Sequence, residues 1–172
     1  MARCFVAVKF GGEIEAKLSE LQSKAKALGL DATFPRTFHA TLVFLGETDE
    51  GKIEEAKQKL DSVESGPVAA EVKGAGFFPS EKFVKIFWVG VKGLDKLQHK
   101  IAGAFGYNER FEGHVTLARV KTQRNLHLLK QLAKDYERKE FGTATVGEVI
   151  LFKSALTPQG PRYEELFVKK LS

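Results

Sequence analysis

Hydrophobic positions recur along this chain with two different periods, and their order predicts a protein of mixed strands and helices. Apolar residues alternate with polar ones in short runs, as in half-buried strands, and recur at three- and four-residue steps in longer runs, as in amphipathic helices. The predicted strands are Arg3–Phe10, Phe38–Leu45, Val68–Phe77, Phe83–Val91, a run that begins at His114, Thr143–Ser154 and Tyr163–Leu171. The predicted helices are Glu13–Leu28, Asp49–Val63, Leu94–Phe105 and Asn125–Tyr136. Gly46 is predicted to end the second strand, and residues 33–36 and 157–161 are predicted to form a loop and a turn.

Two of the predicted strands carry the same short pattern, a histidine followed two residues later by a threonine and then a leucine. His39 and Thr41 occur in the first copy, and His114 and Thr116 in the second. Side chains on a strand alternate between its two faces, so each histidine should share a face with its threonine. Strict alternation puts other residues on the opposite face: Ala40, Leu42 and Phe44 in the first strand, and Val115 and Leu117 in the second.

The predicted elements repeat in the order strand, helix, His-X-Thr strand, helix, strand. One copy covers residues 3–77 and the other covers residues 83–152. Such a repeat is the expected signature of internal duplication. Two copies related by a pseudo-twofold axis would bring the two histidines to opposite sides of a central groove. Because no linker separates the copies, we expect residues 1–172 to form a single domain of two lobes.

Two facing histidines suit paired acid and base catalysis. The ordinary pKa of imidazole is about 6.5, so near neutral pH one ring can accept a proton while the other donates one. Threonine hydroxyls can hold the oxygens of a phosphate as its charge develops. A strained cyclic phosphodiester fits these groups, and its opening requires no metal. The remaining histidines, His99 and His127, fall in predicted helices and are expected on the helix surface.

Other chemistries find little support in the sequence. Zinc usually needs three or four closely spaced ligands, whereas this chain offers two histidines, no cysteine pair and no His-Glu-X-X-His. Neither a Gly-X-Ser-X-Gly motif nor a phosphate-binding glycine loop is present. Cys4, the single cysteine, is expected in the core. A metal centre, a serine or cysteine nucleophile and ATP hydrolysis are therefore all disfavoured, and we expect neither a metal nor a cofactor.

Charge and hydropathy limit the partners and the compartment. The 27 basic and 22 acidic residues give a net charge of +5, which favours a phosphate-bearing substrate without the strong bias of a general DNA-binding protein. No apolar run approaches about 18 residues, so no membrane span is predicted. The chain begins directly with a strand pattern rather than a signal peptide. We expect a soluble, cytoplasmic protein that acts as a monomer.

Several stretches of this sequence resemble one known family, the two-histidine (2H) phosphoesterases. They are RCFVAVKF, FHATLVFLGE, GFFP before a strand that contains Trp88-Val89-Gly90, GHVTLARV, and the ending LFKSALTPQGPRYEELFVKKL. Within that superfamily, nearly the whole chain is similar to the RNA 2′,3′-cyclic phosphodiesterases, long called 2′-5′ RNA ligases.

The resemblance implies a fold, a reaction and roles for individual residues. The implied fold is a bilobal α+β architecture, with antiparallel sheets that line a groove and helices outside. The implied reaction is metal-independent hydrolysis of 2′,3′-cyclic phosphate ends of RNA to 2′-phosphates. By match to the His-X-Thr-X motif, His39 would be the proton donor to the departing O3′, and His114 the base that activates water. Thr41 and Thr116 would bind the phosphate.

Further residues are candidates for substrate contacts. Arg119 follows the second motif, as it does in relatives, but strict alternation points it away from His114, so it needs a strand end or a bulge to reach the phosphate. Three aromatic residues are candidates for stacking a base or for the core: Phe44, Phe83 and Tyr163. Relatives often have arginine at the position of Lys85, and Asn-Leu where this chain has Thr37-Phe38. Both differences are expected to change how the substrate is bound.

The sequence is compatible with several substrates. RNA ends, tRNA halves and small cyclic nucleotides all carry the required cyclic phosphate. Two other functions also remain: ligation of RNA ends by the reverse chemistry, and a nucleotide-binding module without catalysis.

Overall fold

The structure is a computed structural model that describes residues 2–172, and it contains nine strands and four helices in that range. The strands are β1 (Ala2–Lys9), β2 (Ala32–Thr33), β3 (His39–Thr48), β4 (Val68–Pro79), β5 (Val84–Lys92), β6 (His114–Val120), β7 (Glu140–Val146), β8 (Glu148–Thr157) and β9 (Gly160–Lys170). The helices are α1 (Gly12–Lys26), α2 (Glu50–Asp61), α3 (Asp95–Ala104) and α4 (Leu126–Asp135).

The strands form two antiparallel sheets, which confirms the expected α+β class. The first sheet has the order β3-β1-β8-β9, and the second has the order β2-β6-β5-β4-β7. Each His-X-Thr strand belongs to a different sheet. β3, at the edge of the first sheet, contacts β6 of the second, so the two motif strands lie side by side where the sheets meet.

Each half of the chain contributes strands to both sheets, so the two sheets do not correspond to the two halves of the sequence. β4 follows the first motif strand in sequence but pairs with β5 in the second sheet, and β8 pairs with β1 in the first. Two helices also pack on the sheet opposite to that of the preceding strand. Helix α1 follows β1 but packs on β6 and β7, and α3 follows β5 but packs on β3. The hydrophobic core of each sheet is therefore completed by the other half of the chain. The internal duplication itself stays a prediction.

Several predicted boundaries are wrong. The predicted turn at residues 157–161 is shorter than expected, because only Pro158 and Gln159 lie between β8 and β9. The predicted strand Thr143–Ser154 is two strands in different sheets, divided at Gly147. Gly46 does not end β3; it lies beside a register shift with a φ of 71°, so it lets the strand continue through a bulge to Thr48. The predicted loop at residues 33–36 starts inside a short strand, because Ala32 and Thr33 pair with the end of β6.

Most of the buried apolar side chains, from both halves, meet in one large core, and Phe5, Ala7, Ile150 and Phe152 form a separate smaller cluster. Leu18 and Leu21 of α1 and Leu97 and Ile101 of α3 are almost completely buried in the large core. Cys4 is also buried, as predicted. None of the helices within residues 2–172 combines the length and the apolar character that crossing a membrane requires.

Candidate active site

Each motif strand contains a β-bulge at the leucine that follows its threonine. Leu42 in β3 and Leu117 in β6 have no opposite residue in the neighbouring strand. The flanking pairs are Val6 with Val43 and Ala7 with Thr41 in the first sheet, and Phe87 with Ala118 and Trp88 with Thr116 in the second. Both leucines are buried together with the residue that follows them. The bulge thus places two successive side chains in the core and reverses the alternation beyond it.

This reversal decides where Arg119 and Phe44 lie. Arg119 is exposed, and its charge acts on His39 and His114. The bulge therefore puts Arg119 on the face of the histidines, whereas strict alternation would put it on the opposite face. The prediction for Phe44 is wrong. Its ring lies 6.1 Å from Phe5, which stacks on His39, and is 69% exposed, so Phe44 shares the histidine's face.

Two buried glutamines hold the bulged leucines, and sequence reasoning missed both. The side-chain Nε2 of Gln22, on α1, donates to the carbonyl oxygen of Leu117 at 3.0 Å and to that of Pro35 at 2.8 Å. The Nε2 of Gln98, on α3, donates to the carbonyl oxygen of Leu42 at 3.3 Å. These bonds satisfy buried carbonyl groups that a bulge removes from regular strand pairing. Glutamine on the apolar face of each helix was the available signal.

The His39 imidazole lies in an aromatic surround. It stacks on Phe5 with ring centroids 5.2 Å apart, and the ring of Tyr163 meets it edge-on at 5.3 Å. Burial is the main reason that the pKa of His39 falls from 6.5 to about 4, and the positive charges of Arg119 and His114 act in the same direction. In the free groove His39 is therefore neutral at neutral pH.

The His114 imidazole has a defined tautomer. Its Nδ1 lies 2.9 Å from the backbone carbonyl oxygen of Glu112. Because a carbonyl can only accept, Nδ1 carries the hydrogen, and Nε2 is left as an acceptor. Burial lowers the pKa of His114, the Glu112 carbonyl opposes this shift, and the charge of Arg119 adds to it.

The His114 ring packs against Phe78, which in turn packs against Trp88. Phe78 meets the His114 ring edge-on at 4.9 Å and packs on Trp88, also at 4.9 Å. The indole of Trp88 packs against Gly76, where an added Cβ would lie 2.5 Å from the ring. Gly76 thus permits the close packing on which the position of Phe78 depends.

The charge of Arg119 acts on the pKa values of His39, His114 and Tyr163, so these four groups lie close together where β3 meets β6, the place that we call the groove. Thr41 and Thr116 are half-buried beside their histidines. Burial raises the pKa of the Tyr163 hydroxyl against the opposing effect of Arg119, so at neutral pH Tyr163 is a hydrogen-bond donor. The arrangement offers two imidazoles, two alcohols and a guanidinium to an anion. No group of three or more metal-binding side chains occurs among residues 2–172.

The remaining candidates lie outside this groove. His99 and His127 are exposed on α3 and α4, as predicted. Phe83 is 57% exposed, and the ammonium group of Lys85 lies 5.3 Å from the centre of its ring.

Comparisons with known proteins point to one family. The family model "LigT like Phosphoesterase" matches residues 9–88. The RNA 2′,3′-cyclic phosphodiesterase of Methanothermobacter thermautotrophicus is 32% identical to this chain over 98% of each sequence. The protein of the same name from Thermotoga maritima is 31% identical over 96% of this chain and 93% of its own.

Solved structures agree with this fold. A crystal structure of a Thermus thermophilus protein matches with a TM-score of 0.78 and 26% identity, over 98% of this chain and 97% of that one. LigT of E. coli in its apo form matches with a TM-score of 0.76 and 21% identity over 99% and 98%, a likeness of fold alone. Together with the full-length similarity to the curated relatives, these matches show that the chain belongs to the LigT-like phosphoesterases, in the family of the RNA 2′,3′-cyclic phosphodiesterases.

Proposed function

We propose that this protein hydrolyses 2′,3′-cyclic phosphate ends of RNA to 2′-phosphates by two-histidine acid–base catalysis without a metal. The relatives that match its full length bear the name of this activity. One structural observation supports the choice of residues. The charges of His114 and Arg119 both act on the pKa of His39, so the three groups share the electrostatic environment in which a single phosphate would bind.

The proposed reaction is one in-line displacement at phosphorus. The Nε2 of His114 accepts a proton from a water molecule while the water oxygen bonds to phosphorus. The bond from phosphorus to O3′ breaks, and protonated His39 gives its proton to O3′. The phosphate keeps its bond to O2′, and proton exchange with solvent restores both rings.

The remaining polar groups of the groove are assigned to the phosphate itself. Arg119 and the hydroxyls of Thr41 and Thr116 bind its non-bridging oxygens, where negative charge increases in the transition state. A guanidinium can donate two parallel hydrogen bonds to such oxygens.

Substrate binding has a specific part in this scheme, because His39 is neutral in the free groove. A bound phosphate brings a negative charge close to the imidazole and offsets the effects of burial and of Arg119. We infer that the bound substrate raises the pKa of His39, so that the imidazole takes up from solvent the proton that it then gives to O3′.

The test is hydrolysis of adenosine 2′,3′-cyclic phosphate in the presence of a chelator, with the product identified by phosphorus NMR. We expect adenosine 2′-phosphate as the product and the same rate with and without the chelator. A 3′-phosphate product, or loss of turnover in the chelator, contradicts the proposal.

A further inference from the structure

One cavity of the molecule opens beside the groove, between the loop that leads into β3 and the hairpin that joins β8 to β9. Its volume is about 260 Å³. Its polar lining consists of Arg36, Thr37, Thr157, Gln159, Arg162 and Tyr163. We refer to it as the hairpin cleft.

The hairpin cleft carries positive charge without a compensating carboxylate. None of the side chains that line it is acidic, whereas the cavity along α1 combines Lys17 and Lys24 with Glu20 and Asp135. Within residues 2–172, neither Arg36 nor Arg162 forms an ion pair. Two free guanidiniums at one cleft are a strong attraction for a phosphate, to which each can donate paired hydrogen bonds.

The cleft is joined to the active site by a shared residue. Tyr163 lines the cleft and also meets the His39 ring edge-on at 5.3 Å. Thr37, on the opposite wall, precedes His39 by two residues. A ligand whose terminal phosphate lies at His39 can therefore extend past Tyr163 into this cleft.

The wall formed by the hairpin is held in shape by its own hydrogen bonds. The Thr157 hydroxyl donates to the carbonyl oxygen of Gly160 at 2.6 Å and accepts from the backbone N–H of Gln159 at 3.3 Å. The turn that presents Arg162 is thus ordered before any ligand arrives, which reduces the entropy lost on binding.

We propose that the hairpin cleft binds the phosphate attached to O5′ of the terminal nucleoside, with Arg36 and Arg162 as its ligands. This inference rests on the proposed function, which places the cyclic phosphate of that nucleoside at His39 and His114. Contacts to a backbone phosphate position a strand without reading its bases. The cleft would therefore favour RNA ends over a lone nucleoside cyclic phosphate, regardless of sequence.

Both an RNA chain and a 5′-phosphorylated nucleotide offer such a phosphate, and binding experiments separate these sources. The ligands are adenosine 2′-phosphate, adenosine 2′,5′-bisphosphate and an adenosine dinucleotide that ends in a 2′-phosphate, each measured by calorimetry. We expect the dinucleotide to bind about tenfold more tightly than adenosine 2′-phosphate, the gain of one charge-assisted phosphate contact. If the bisphosphate shows the same gain, the cleft accepts any O5′ phosphate; a gain for the dinucleotide alone identifies an internucleotide phosphate. Both results support the proposal.

The variant Arg36→Gln/Arg162→Gln tests which residues provide the gain. We expect the double variant to lose most of it, with a smaller dependence of dinucleotide affinity on salt. The matched control is Arg138→Gln/Lys139→Gln, which removes the same charge in the turn before β7, at the far edge of the second sheet. It should keep the gain.

Two results would overturn the proposal: equal affinity of the wild type for all three ligands, or a parallel loss of affinity for all three in the double variant. Because these ligands resemble the product and need no turnover, the outcome does not depend on catalysis. Failure of the proposed function would appear separately, as absence of hydrolysis by the wild type.

Discussion

At the residue scale, the main feature of the groove is that it holds its histidines neutral. His39 lies against Phe5 and Tyr163, and the desolvation of its ring is the largest cause of its low pKa. Burial also lowers the pKa of His114, but the hydrogen bond from its Nδ1–H to a backbone carbonyl acts in the opposite direction. The two rings therefore differ before substrate arrives, and His39 can act as the acid only after a bound phosphate has raised its pKa.

Removal of either imidazole should reduce hydrolysis strongly. For His39→Ala and His114→Ala we expect kcat to fall by a factor on the order of 10²–10⁴, since each variant lacks one proton-transfer group. The measurement is steady-state hydrolysis of adenosine 2′,3′-cyclic phosphate over a range of pH. His99→Ala and His127→Ala, on exposed helix faces, serve as controls and should behave as the wild type. Wild-type kcat in either groove variant would refute the acid–base assignment.

Arg119 should link phosphate binding to the protonation of His39. In Arg119→Gln we expect the pKa of His39 to rise in the free protein, because a nearby positive charge is lost. We also expect weaker binding of adenosine 2′-phosphate. NMR titration of the imidazole signals, with and without the nucleotide, measures both effects. Lys121→Gln removes a nearby exposed charge as a control, and an equal effect of both variants would exclude a specific contact.

At the element scale, the bulges are the features on which the site depends. Each one turns the residue three places after the threonine into the groove, which puts Phe44 in β3 and Arg119 in β6 at corresponding positions. Gln22 and Gln98 reach the bulges from helices that pack across the sheet boundary. The geometry of each motif strand is thus stabilised from the other half of the chain.

Gln22→Met keeps the shape of the side chain but removes the donor to Leu117. We expect a loss of about 1–3 kcal/mol in the free energy of unfolding, because a buried carbonyl is left unpaired. If Gln22 positions Arg119 through the bulge, the variant should also raise KM and raise the pKa of His39. Chemical denaturation, kinetics and NMR titration report these quantities. The exposed Gln58→Met is the control; a loss of stability without change in KM or pKa would reduce Gln22 to a purely structural residue.

Gly76→Ala should disturb the aromatic support of His114. The new Cβ would lie within 2.5 Å of the Trp88 ring, so the indole must shift, at a cost of about 1–3 kcal/mol. We expect a lower melting temperature and a lower kcat, because Phe78 moves with Trp88. Gly103→Ala is the matched substitution: it has open space on α3 and should stabilise by about 0.5–1 kcal/mol. Wild-type stability and kcat in Gly76→Ala would show that the packing tolerates the methyl group.

At the scale of the whole molecule, the two sheets contribute to one large hydrophobic core, and the groove lies at their junction. Helices and strands from each half complete the core of the other, so neither half buries its apolar surface alone. The site is assembled from both sheets, and its stability is therefore that of the whole fold.

The pH dependence of global stability follows from the depressed pKa of His39. Between pH 6.5 and about 4 the unfolded chain binds the proton that the folded imidazole resists, so stability should fall as the pH is lowered through that window. We expect His39 to account for about 2–3 kcal/mol of this loss, and His114 to add to it. Urea unfolding of the wild type and of His39→Asn at pH 7 and pH 4 measures the difference. An identical loss in both proteins would contradict the assigned pKa.

The sequence by itself determined the four helices, most of the strands and both histidine motifs. Periodicity reports which face of an element is buried, and in this chain that signal is strong. The resemblance carried by the two motifs and by the ending of the chain led to the family. It also pointed to Arg119, whereas Tyr163 was a candidate only because it is aromatic.

Only the tertiary structure decided which strands pair and where the side chains beyond each bulge point. Periodicity carries no information about the neighbouring strand, so the division at Gly147 and the placement of β4 and β8 in opposite sheets were not predictable from it. A bulge is a property of two paired strands, and so the faces of Phe44 and Arg119 follow from pairing rather than from alternation. The low pKa of His39 has the same origin, because burial and the charge of Arg119 exist only once the sheets meet.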